Sequence, residues 1–196
     1  MAICSKFDEN LLANCNDPVV GGVNDRLYLF NYDDWAGAVI TRDANGIITN
    51  IVLPSGTEAI TVTGQLNSND ARVQNSKTTY TQSYIHEVDF RVFDNSASVK
   101  DQVDKILKGK AVIVVQNNYK GTAGDVAFEA YGDNSGLEAI DGLLRDTADT
   151  DSGSAYTISV ASNEKAKEPK PPTSVFDTDF LTTQAMLDAL VTSTNA

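Results

Sequence analysis

His86 is the chain's single histidine, so a Ser-His-Asp or Cys-His arrangement for nucleophilic catalysis has to be built around it. It sits inside "YIHEVDFRVF". There Tyr84, His86, Val88, Phe90 and Val92 share one face of a strand, while Glu87, Asp89 and Arg91 share the other. The histidine falls on the apolar face. A hydrogen-bonded structural histidine is therefore expected, and no catalytic residue is assigned. The second grouping is acidic. "DTADTDSG" brings Asp146, Asp149 and Asp151 together just before Gly153, and carboxylates at such spacing suit calcium. Counted from Asp149, the fifth and sixth places are Gly153 and Ser154. The twelfth is Val160, where an EF-hand needs Glu, so that motif fails. A looser calcium loop through Asp146, Asp149 and Asp151 is the one metal candidate, weighed against a solvated acidic turn.

Other signals are weaker. Cys4 and Cys15 lack the flanking Cys and His residues of a zinc site. Reduced thiols are expected, with a Cys4–Cys15 disulfide as the alternative outside the cell. "GTAG" and "YGDNSG" match neither phosphate-loop pattern, and Gly132 and Gly136 read as turn residues. No cofactor is implied, and no enzymatic role. Lys100, Lys105, Lys108 and Lys110 form a small basic patch without interleaved aromatics, a poor platform for single-stranded nucleic acid. An acidic surface on an adjacent subunit, such as residues 141–151, is its better partner.

Charge narrows the function classes. Fifteen Lys and Arg against 27 Asp and Glu give a net charge of −12 over 196 residues. That argues against nucleic-acid binding, which rests on cationic contact to phosphate. It permits a surface that nucleic acid slides past, because like charges repel. No stretch approaches the roughly 18 apolar residues of a membrane span, so no membrane partner is expected.

The elements that must position these residues are mainly β. An N-terminal arm is expected over residues 1–25, a β-rich core domain over 26–161, and a Pro-containing linker and C-terminal arm over 162–196. Strands are expected at 26–30, 39–41, 47–53 and 59–63, with Asn45-Gly46 as a hairpin turn. Residues 64–83 are long, polar and poor in aliphatics, which suggests a loop or an extended hairpin that pairs with a neighbouring subunit. One amphipathic helix is expected near 98–108. Ser96 or Ser98 caps it, Val99, Val103, Ile106 and Leu107 form its stripe, and Gly109 stops it. "AVIVV" after Lys110 is apolar on both faces and so reads as a buried strand. Strands at 125–131 and 155–160 flank a Gly-rich turn and a short helical segment. The charged, Pro-rich "NEKAKEPKPPTS" reads as a linker. Beyond it, Leu187, Leu190 and Val191 mark a short helix able to dock on its own core or on another subunit. The fold class is thus an antiparallel β-sandwich or small barrel with one flanking helix and extended arms.

This order of features, with "FRVFDNSASVKDQVDKILKGKAVIVVQNN", "AFEAYGDNSGLEAI" and "GSAYTISVASNEKAKEPKPP", resembles the tail tube and related virion structural proteins of tailed bacteriophages. The resemblance covers roughly residues 27–160. It implies a virion component that self-assembles into hexameric rings stacked as a tube, through which DNA passes without specific binding. Its partners are copies of itself and other virion proteins. Lys105, Lys108, Tyr80, Leu187 and Leu190 are the expected interface residues, and Glu87 and Asp89 are candidates for the lumen face. A capsid decoration or head–tail connector protein is the nearest alternative. A calcium-dependent β-sandwich binding module is the alternative of another class.

Overall fold

The computed structural model describes residues 20–148 and 153–191. Residues 1–19, including Cys4 and Cys15, and the candidate ligands Asp149 and Asp151 lie outside them. The described elements, in chain order, are β1 (Val23–Asn31), α1 (Tyr32–Ala36), β2 (Val39–Arg42), β3 (Ile48–Val52), β4 (Ile60–Thr63), β5 (Asp70–Lys77) and β6 (Gln82–Val92). They continue with α2 (Ala97–Lys108), β7 (Lys110–Asn117), β8 (Phe128–Tyr131), β9 (Leu137–Ala139), β10 (Tyr156–Ser162), β11 (Thr173–Ser174) and α3 (Phe180–Ala189). The fold is mainly β and antiparallel, with helices on its flanks.

The apolar run of β7 explains the layering. Alternate residues of a strand point to opposite faces. On β7, Ile113 and Val115 join one core while Val112 and Val114 join a second. Its neighbour β1 divides the same way, with Leu27 and Leu29 on the first face and Tyr28 and Phe30 on the second. The two strands pair from Leu27↔Val115 to Phe30↔Val112. The first core is closed by Val88 and Phe90 of β6, Ile158 and Val160 of β10, and Val103 of α2. The second is closed by Trp35 of α1, Ile48 and Ile51 of the β2–β3 hairpin, Phe128 and Ala130 of β8, and Leu187 of α3. Two cores on the two faces of β1 and β7 make three layers.

The main sheet forks. On the side of β7 away from β1, β8 pairs with Ile113–Gln116 and β9 pairs with Lys110 and Ala111. Between them residues 132–136 loop out, closed by Gly136 N donating to Gly132 O at 2.9 Å. Gly132 and Gly136 have φ of 79° and 73°, so both glycines are needed for this loop. From β8 one branch leads to β11, and from β9 the other leads to β10, β6 and β5. The short helix expected after the Gly-rich turn is absent, since residues 137–139 are a strand. Leu137 finds partners on both β7 and β10, and this tertiary pairing overrides a helical pattern.

The helix α2 forms as its sequence dictates. Ser96 Oγ accepts from Val99 N, and Asp101–Lys105 and Asp104–Lys108 bridge successive turns. Gly109 is extended, with φ −101°, so it is not there for a left-handed cap. Its Cβ would stand 3.1 Å from Lys105 O, so the close approach of chain to helix end is what favours glycine. Val103 is buried, while Val99, Ile106 and Leu107 pack half-buried around it.

Residues 163–191 are not a free arm. Tyr84 and Glu168 exchange backbone hydrogen bonds, Phe176 N donates to Ile48 O, and Ala59 N donates to Leu190 O. Tyr28 Oη donates to Asp188 Oδ1 at 2.8 Å, and Arg26 Nη2 lies 2.6 Å from the same atom. The Pro-rich stretch is therefore a strap across the sheet fork, and α3 docks on its own chain. Of the arm expected over residues 1–25, residues 1–19 lie outside the described residues, and Val23, Asn24 and Asp25 belong to β1.

Candidate functional site

Three buried or half-buried polar groups gather where the strap crosses the loop at 132–136. His86 projects from β6. Its Nδ1 accepts from Gly132 N at 3.2 Å and its Nε2 donates to the Lys170 carbonyl at 3.0 Å. With both nitrogens committed and the ring 1% exposed, burial holds the imidazole down at about 4, against the opposing pull of Lys170 O and Asp133. It is neutral near pH 7 and has no free nitrogen for a substrate. Asp133 accepts from Trp35 Nε1 at 3.0 Å, from Arg42 Nη2 with both oxygens at 2.8 Å, and from Thr173 Oγ1 at 2.9 Å. One carboxylate thus joins α1, β2 and β11. Glu168 Oε1 accepts from Ser135 N, and Oε2 accepts from Asn134 N and Nδ2. Burial raises its carboxyl above the ordinary range despite these donors. Each member of this cluster is satisfied by structural partners. A shallow cleft of about 370 Å³ lies beside Arg42, Asp133, Lys170 and Thr173, and its hydroxyl–carboxylate contact, Thr173 to Asp133, ties β11 to the loop at 132–136.

Among the described residues no group of three His, Cys, Asp or Glu side chains could hold an ion. Asp146, the described member of the calcium candidate, has Oδ1 occupied by Ala148 N at 2.8 Å, a local turn.

Surfaces for protein contact are better formed. The main sheet runs β4-β1-β7-β9-β10-β6-β5, and among the described residues β4 pairs only with β1 and β5 only with β6. Neither has a second strand partner among the described residues, although Ala71 N on the β5 edge is already taken by Asp70 Oδ1. The polar stretch at 64–83 holds β5 and the start of β6, paired from Asp70↔Asp89 to Lys77↔Gln82. Thr78 and Thr81 close its turn, and Tyr80 stands at the tip, 94% exposed. On the wet face of this hairpin Arg72 binds Asp70, Glu87 and Asp89. Beside β4, α2 forms one wall of a groove of about 750 Å³.

The expected interface residues separate. Tyr80 is open to solvent. Lys105 and Lys108 are exposed but engaged within α2, at 2.5 Å from Asp101 and 2.6 Å from Asp104. Leu187 is fully buried in the chain's own second core, and Leu190 is half-buried against it, so neither is presented to a neighbour. No family model, curated protein or solved structure matches the chain. Sequence reading missed Asp133 and Glu168. The signal for Asp133 was its place inside "YGDNSG", where flanking positive-φ glycines turn a polar loop back on itself. Among the described residues, no helix is long and apolar enough to cross a membrane.

Proposed function

We propose that this chain is a virion structural subunit, a tail tube protein that assembles into stacked hexameric rings conducting DNA. The observation that carries the reading is the pair of open strands at the two ends of one sheet path, β4 and β5. Two different open edges favour head-to-tail pairing, and head-to-tail contacts close into rings when the rotation allows. The exposed β5–β6 hairpin, with Tyr80 at its tip, suits contact with an adjacent ring. Glu87 and Asp89, half-buried under Arg72 on the outer face of β6, are the carboxylates offered for an acidic lumen. In that lumen Arg72 is offset by three carboxylates, so DNA is not retained.

Negative-stain electron microscopy of the purified protein tests this. Stacked six-fold rings are the expected result. Trimers point instead to a capsid decoration protein and twelve-fold rings to a connector. Failure to form any ring across salt and concentration overturns the assembly reading.

A further inference from the structure

Leu66 stands in the loop between β4 and β5 with φ of 52°, and Asn67 follows with φ of 57°. A bulky L residue rarely adopts this left-handed region, and strain of this kind persists only where surroundings impose it. The loop is held firmly. Gly64 N and Asn69 Nδ2 donate to Asp25 O, Asn67 N donates to Asp25 Oδ1, and Gln65 N donates to Ser68 Oγ. Yet the leucine side chain gains no burial, being 94% exposed. A rigid loop therefore sets an apolar knob into water.

The groove beside α2 has the complementary character. It is lined by Ile60, Val62, Val92, Phe93, Val99 and Ile106. At one end stand Gln65, next to the knob, with Asp94 and Ser98. At the other stand Ile60, Gln102 and Ile106, joined by Lys105.

We propose that this groove receives the Leu66 loop of a second copy of the chain, the two copies exchanging knobs about a two-fold axis. The knob lies at one end of its own groove. Two grooves laid antiparallel therefore bring each Leu66 to the Ile60–Ile106 end of the other. Charge agrees with that direction. Asp25 and Asp70 flank the knob, Asp70 being shared with Arg72; Lys105 and Lys110 stand at the receiving end with Glu58, and Asp94 lies at the opposite end. The Lys105–Asp101 pair joins side chains 61% and 60% exposed, and such pairs are weak enough for Lys105 to turn to a partner carboxylate. A two-fold contact closes on itself. The dimer stands apart from the tube reading; one consequence, that β4 is covered and ring growth must displace the partner, rests on it.

Sedimentation velocity on the full chain across the micromolar range tests the proposal. Wild type is expected to show a monomer–dimer equilibrium. Leu66→Gly removes the knob and accepts the positive φ, so the dimer dissociation constant rises roughly tenfold or more while Tm holds or increases. Gln102→Trp, on the exposed rim of α2, fills the groove and has the same effect on association. A wild type that stays monomeric throughout overturns the proposal, as do two variants that dimerise like wild type. Electron microscopy of Leu66→Gly separates the two readings, since rings formed without the dimer leave the tube reading standing alone.

Discussion

His86 carries a pH signature that its neighbours make readable. Its folded value of about 4 lies below the ordinary 6.5, so the unfolded chain binds the extra proton between these values. The histidine's contribution is complete above pH 6.5, falls as pH drops from 6.5 to 4, and is constant below. A shift of this size corresponds to about 3 kcal/mol over the window. Glu168 works in the opposite sense. Its raised carboxyl favours the protonated form, so stability from that group declines as pH rises through and above the usual glutamate range. Urea midpoints of wild type and His86→Gln, measured from pH 7 to pH 4, separate the two. The variant is expected to be less stable at pH 7 yet to lose less on acidification. Parallel curves for the two proteins contradict the assignment of a neutral, buried imidazole.

At the level of elements, legibility followed how much of each element's fate lay in side-chain pattern. The continuously apolar run of β7, the alternation around His86 and the capped stripe of α2 were all legible because each side-chain pattern matches the burial of its element. The strap did not. Its ties to β6 are backbone exchanges between Tyr84 and Glu168 and a carbonyl offered to His86, and such bonds leave no trace in composition. The segment at 137–139 was ambiguous for a related reason: its apolar residues suit a helix or a strand, and distant partners decided. Of the site residues, His86 was legible as structural, while the strain at Leu66 is a property of φ and invisible in the sequence. The docking of α3 is checked by Leu187→Ala. Truncating this fully buried residue is expected to destabilise the chain by about 2–5 kcal/mol in urea unfolding. A loss below about 0.5 kcal/mol, the range typical of exposed positions, is incompatible with α3 as part of the core.

For the whole molecule, net charge sets the terms of association. Copies carrying −12 each repel one another, and added salt shortens that repulsion from about 10 Å at 0.1 M to about 3 Å at 1 M. If the proposed rings stack through strand edges and apolar contact, their growth is therefore expected to speed up as salt increases, in light scattering at constant protein concentration. Slower growth at high salt would point to opposite-charge contacts as the main force.

The closure of the second core also has a temporal side. Tyr28 and its hydrogen-bond partner Asp188 are 160 residues apart. At typical synthesis rates the ribosome needs roughly 10–30 s to travel between them. From the time Val112 and Val114 join Tyr28 and Phe30, about half-way through that interval, the face they share lacks the helix that finishes covering it. A nascent chain thus holds an incomplete apolar surface until α3 emerges. Removing α3 is therefore expected to lower the soluble yield of the protein, because the second core stays uncovered.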